Sequence, residues 1–142
     1  MIYTPLTKKA MILCFEAHKH QRDKSGIPYV FHPIHLAEQM DDEYSTVTAL
    51  LHDVVEDTDY TPEDLRRMGY PEPVLEALKL LTHDDGVPYM DYVAAIKENP
   101  IARKVKLADL RHNSDVTRLD VVDEKALNRV QKYREAIKLL EA

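Results

Sequence analysis

Three short stretches of this sequence carry the residues with most to say about chemistry. They are His32 in HPIHLAEQM, the run His52-Asp53-Val54-Val55-Glu56-Asp57, and Lys106, Asp109 and Asn113 in KVKLADLRHN. Neutral imidazole and carboxylate together suit borderline and hard divalent cations. Asp53, Glu56 and Asp57 crowd into one short segment, where they repel each other and cannot be buried cheaply without a counter-charge. A divalent ion would supply that charge and keep them ionised. The plainer alternative is a solvated acidic stripe. It places negative charge at a helix C-terminus, where the helix dipole is already negative.

On a continuous helix His52 and Glu56 stack four residues apart, as do Asp53 and Asp57. Lys106, Asp109 and Asn113 share one face, and Asp109 sits among Leu107, Ala108 and Leu110, an apolar setting for a lone acid. A mixed imidazole and carboxylate site with open positions can hold a phosphate oxygen and a water. Glu56 or Asp57 can then take a proton as general base. Lys106, Arg103, Lys104 and Lys24 are candidates to offset phosphate charge, though each also reads as an ordinary surface cation.

The elements that must position these groups are helices. Leu6, Ala10, Leu13, Cys14 and Ala17 recur at helical spacing and predict a first helix over about residues 5–22. Lys24 to Pro28 reads as a loop. Pro33 suits the first turn of a second helix that ends near Met40. A third helix is expected over about 46–57. Thr61-Pro62-Glu63-Asp64 is a helix start, with a short helix stopping at Gly69. Further helices are expected over about 71–81, 88–98, 100–117 and from Asp123 onward. No hairpin signal is present. The expectation is an all-α, compact helical bundle of seven to eight helices forming one domain over residues 1–142.

With 44% apolar and 31% charged residues the chain can build a core. Its net charge of −6 argues against a general nucleic-acid binder but not against an anionic small molecule. No apolar stretch approaches the roughly 20 residues of a membrane span, and no secretory signal is visible. Cys14 is the one cysteine and reads as a core residue, in keeping with a reducing, cytoplasmic setting.

Three motifs, GIPYVFHP (26–33), ALLHDVVEDT (49–58) and KLADLRHN (106–113), resemble those of the HD-domain metal-dependent phosphohydrolases. Within that family the chain is most similar to the hydrolase domain of the RelA/SpoT alarmone enzymes and their stand-alone small relatives. The resemblance covers nearly the whole chain. It implies His32, His52, Asp53 and Asp109 as metal ligands, with Mn²⁺ the typical metal. It implies Glu56 and Asp57 as the pair that orients or activates the attacking water, and Asn113 as a contact to the substrate's sugar. The implied reaction is removal of the 3′-diphosphate from a ppGpp-like nucleotide. No synthetase domain follows the motifs, so the expectation is degradation only.

One departure stands out. Relatives carry an Arg-Lys pair in the loop before the HP motif, the arginine packing on the base. Counted back from His32, that arginine position is Asp23 and the lysine is Lys24, with Arg22 displaced by one. Two alternatives follow: a phosphohydrolase for another nucleotide or phosphate ester, and a metal- or nucleotide-binding module without turnover. His35 reads either as a partner one turn behind His32 or as a packing histidine. His18, His20, His83 and His112 have no partner legible in the sequence, and Tyr29 is given no contact role.

Overall fold

A computed structural model describes all residues, 1–142. It is all-helical, with nine α-helical segments and one short 3-10 turn: α1 Pro5–His18, α2 Phe31–Glu38, α3 Glu43–Leu51, α4 Val54–Asp57, α5 Pro62–Arg67, α6 Glu72–Leu81, α7 Tyr89–Lys97, α8 Pro100–Asn113, the turn Val116–Arg118, and α9 Glu124–Glu141. Several starts have legible causes. Thr4 and Thr7 form a reciprocal cap on α1, and Thr61 and Asp64 do the same on α5. Asp42, Asn99 and Asp123 each accept a backbone N–H at the start of α3, α8 and α9.

The helix α3 is the hub. Val47, Ala49, Leu50 and Leu51 are wholly buried, and α3 packs against α1, α2, α6 and α8. A single cluster of 27 buried apolar residues joins these helices to α7 and α9. The hub therefore carries His52 at its end into the densest part of the molecule.

The first helix ends at His18, short of the expected residue 22. Three further differences from the sequence expectation bear on the site. The third helix is not continuous over 46–57: it breaks at His52-Asp53, which is why nine segments are seen where seven to eight were expected. Asp53 lies at φ −103°, ψ 0°, the sparsely populated bridge region that active-site residues often occupy. The second helix begins at Phe31, so His32 lies inside its first turn rather than ahead of it. The long helix α8 ends at Asn113, and Val116–Arg118 forms a separate turn. No helix is long and apolar enough to cross a membrane.

Candidate metal centre

The first turn of α2, the end of α3 and the middle of α8 bring His32, His52 and Asp109 together. Their exposures are 5%, 5% and 7%, and one ligand atom from each lies within 4.8 Å of the others. His32 Nε2 is 2.9 Å from Asp109 Oδ1. His52 is oriented from behind: its Nδ1 donates to the Ala49 carbonyl at 2.7 Å, one of the carbonyls left free at the end of α3. In the neutral ring that leaves Nε2 as the lone-pair nitrogen. It lies 2.9 Å from Asp53 Oδ2 and 3.7 Å from Asp109 Oδ1, yet it is buried without a hydrogen-bond partner. In the neutral ring its lone pair is an acceptor aimed at two carboxylate acceptors. A proton or a divalent cation at Nε2 satisfies all three, and the donor set fits such a cation.

Asp53 stands slightly apart. Its Oδ2 accepts a hydrogen bond from the Tyr29 hydroxyl, and it does not share the common reach of His32, His52 and Asp109. Tyr29 is thus part of the site, against the sequence expectation. Burial, then the Asp53 charge, pushes its hydroxyl far above the ordinary tyrosine range, so it remains a donor.

Asp109 is the most heavily bonded group. Oδ1 accepts from Asn113 Nδ2 at 2.9 Å and Oδ2 from Lys106 Nζ at 2.9 Å. Burial alone would raise its pKa, but Lys106, His32 and His52 hold the carboxyl well below the usual range. Lys106 answers in kind: burial alone would lower it, and Asp109 raises it well above the ordinary lysine value. Lys106 is thus paired with Asp109, and it is absent from the lining of the two cavities beside the site. Lys104 is likewise engaged, with Asp41 and Asp42.

Glu56 and Asp57 follow on α4 and reach solvent. For both, partial burial and then the neighbouring Asp53 charge raise the carboxyl above the ordinary range. Groups so placed hold a proton more readily than free carboxylates.

A cavity of about 360 Å³ opens on Tyr29 and His32 and is lined by Arg22, Lys24, Asn113, Arg118, Arg129 and Tyr133, among others. It gathers four cations in a chain of net charge −6. Arg22, Lys24 and Asn113 were expected here; Arg118, Arg129 and Tyr133 were not, since nothing in the sequence separates them from surface residues. Arg22 Nη1 donates to the Gly26 carbonyl at 2.9 Å. Asp23 accepts the Ser25 and Ile27 N–H groups through Oδ1, and its Oδ2 lies 4.0 Å from Arg118. The residue at the departure thus shapes the loop and faces a new arginine.

His112 also has partners the sequence concealed. Its Nδ1 is 2.7 Å from His32 Nδ1, and His35 stacks on it with ring centroids 4.1 Å apart. Burial, then Arg118, pulls its pKa down to about 4.

No family model matches the chain. Curated proteins do. The chain is 32% identical over 123 residues to the bifunctional (p)ppGpp synthase/hydrolase SpoT of Escherichia coli K12, covering 75% of this chain and 17% of that protein. It is 33% identical over 114 residues to the mouse guanosine-3′,5′-bis(diphosphate) 3′-pyrophosphohydrolase MESH1, covering 70% of this chain and 63% of that protein. The chain is a RelA/SpoT-like protein. A GTP pyrophosphokinase of Streptomyces coelicolor is 37% identical to this RelA/SpoT-like chain over 109 residues, 68% of this chain and 13% of that protein. The RelA/SpoT-like chain thus spans under a fifth of the length of these bacterial relatives and just under two thirds of the mouse protein. The fold agrees: a solved structure of a metazoan ortholog of SpoT superposes with a TM-score of 0.79 at 23% identity, covering 100% of this chain and 89% of that one.

Proposed function

We propose that this RelA/SpoT-like protein is a metal-dependent phosphohydrolase that removes the 3′-diphosphate from guanosine 3′,5′-bis(diphosphate). His32, His52, Asp53 and Asp109 would hold a divalent ion, Mn²⁺ by family resemblance. The observation that carries this reading is the orphaned Nε2 of His52, buried and aimed at Asp53 and Asp109. When bound, the ion supplies Lewis acidity to a phosphoryl oxygen and acidifies a water.

The chain's own groups do the rest. Asp57 or Glu56, held as stronger bases than free carboxylates, accepts the proton of the attacking water. Water oxygen bonds to phosphorus as the bond to the 3′ oxygen breaks; the electron pair leaves with that oxygen, which takes up a proton from the carboxyl or from solvent to become the 3′ hydroxyl, and pyrophosphate is released. Asn113 would meet the sugar, as the family resemblance implies; its bond to Asp109 and its place at the cavity edge support that reading. Arg22 and Lys24 border the same cavity and balance the remaining anionic charge. Tyr29 and Lys106 hold Asp53 and Asp109 respectively. The anionic nucleotide substrate and the lone buried thiol suit a cytoplasmic protein.

A second reading keeps the chemistry and changes the substrate. Asp23 faces the cavity as an anion, its loop role already set by two backbone N–H groups. A different phosphorylated nucleotide is the natural alternative. A panel of metal-loaded assays separates the two: preference for the 3′-diphosphorylated guanosine nucleotide supports the first, and turnover of another phosphate ester with none of that nucleotide replaces it with the second.

A further inference from the structure

We propose that His112 is the positioning residue for His32, fixing the tautomer in which His32 presents the Nε2 lone pair to a metal. The proposal rests on His32 being a ligand, as assigned above. The two Nδ1 atoms are 2.7 Å apart. The ring planes differ by only 6° with centroids 5.0 Å apart. Parallel rings so widely separated, yet with two nitrogens in such close contact, meet nitrogen to nitrogen and not face to face. This is an in-plane hydrogen bond, and its chemistry is restrictive. Two neutral imidazole nitrogens at this distance share one proton: two protons would clash and none would leave two lone pairs opposed.

The proton's place sets what His32 can do. With it on His32 Nδ1, the His32 Nε2 lone pair is free for a cation. With it on His112 Nδ1, His32 carries its proton on Nε2 and donates to Asp109 Oδ1, 2.9 Å away. Metal ligation therefore requires His112 to accept at Nδ1 and carry its own proton on Nε2. Metal-bound histidines commonly donate their second N–H to a carboxylate or a carbonyl, and loss of that partner costs about 10- to 100-fold in affinity. Here the partner is another histidine, 80 residues away in the chain. It is held in place by His35 stacked on its ring and by Arg118 Nη1 donating to its carbonyl at 2.8 Å.

The test is Mn²⁺ affinity by titration calorimetry, without substrate, for the wild type, His112→Phe, His112→Gln and His32→Ala. His112→Phe keeps a ring against His35 and loses the acceptor; His112→Gln restores one. The expected result is a loss of about 10- to 100-fold for His112→Phe, with partial recovery in His112→Gln. Unchanged binding in His112→Phe, or equal loss in both variants, overturns the proposal. Unchanged binding in His32→Ala removes the ligand assignment and this proposal with it, whereas turnover of some other substrate touches neither. Should His112→Phe not fold, ¹⁵N spectra of the wild type with diamagnetic Zn²⁺ decide. A protonated His32 Nδ1 supports the proposal and a bare one overturns it.

Discussion

Lys106 Nζ lies 2.9 Å from Asp109 Oδ2, one turn away on α8, with the two side chains 13% and 9% exposed. The pair is buried beside two histidines, so the lysine is the main local compensation for the Asp109 charge. Breaking a buried pair by removing one partner costs about 3 kcal/mol. Lys106→Met should therefore lower metal-free stability by that order, read as a shift in the urea midpoint. Saturating Mn²⁺ should recover part of the loss, because the ion takes over the compensation. An unshifted midpoint would show that Lys106 does not carry that role.

The metal-free site has a definite pH signature. Burial alone would lower the His52 pKa, but Asp53 and Asp109 raise it well above its ordinary value, which is about 6.5. Its stabilising effect is thus fully present below about pH 6.5 and lost as pH rises through the raised folded value. Asp109, depressed in the folded state, stabilises above about pH 3.9 and loses that effect as pH falls through its folded value. A proton on His52 Nε2 competes with a metal for the same lone pair, so Mn²⁺ must displace it wherever the pH lies below that raised value. Affinity should rise about tenfold per pH unit below the raised value, and calorimetry in buffers of different ionisation enthalpy should show one proton released. No release would contradict the predicted His52 charge.

Tyr29→Phe removes the hydroxyl that donates to Asp53 and little else. Mn²⁺ affinity should fall by about tenfold or more, with the helical circular dichroism unchanged. Equal affinity would mean that Asp53 is positioned without Tyr29.

Glu56 and Asp57 separate turnover from binding. Asp57→Asn should keep the metal, measured by elemental analysis, while turnover falls about 10²- to 10⁴-fold. Glu56→Gln tests the same role for its neighbour. If both variants turn over at the wild-type rate, neither is the base; a wild type that binds metal and turns nothing over would make a binding module the better account.

Much of this arrangement was legible before any coordinates. Residue type and setting drew attention to His32, His52 and Asp109, the family resemblance implied them as ligands, and the structure packs them together. What stayed hidden depended on distant parts of the chain or on local backbone detail. Apolar periodicity ran unbroken through residues 46–57 and gave no sign of the interruption at His52-Asp53, where the His52 ring takes the Ala49 carbonyl. Helical spacing placed Lys106 and Asp109 on one face but could not show that the two side chains pair in a buried setting. Tyr29 could have been found from its place three residues before His32. His112 could not, because its partners His32 and His35 lie on another helix. Arg118 and Arg129 reach the cavity only through the turn and the last helix, and single surface arginines carry no signal of that kind.

The proposed reaction requires a metal held by His32, His52, Asp53 and Asp109 for release of the 3′-diphosphate. The most direct measurement is Mn²⁺-dependent pyrophosphate release from guanosine 3′,5′-bis(diphosphate) by the wild type, with His52→Ala assayed beside it and metal content determined for both. The expected result is release by the wild type alone, with metal lost from the variant. No release from folded, metal-loaded wild type would contradict the substrate assignment, and metal retained in His52→Ala would contradict the site.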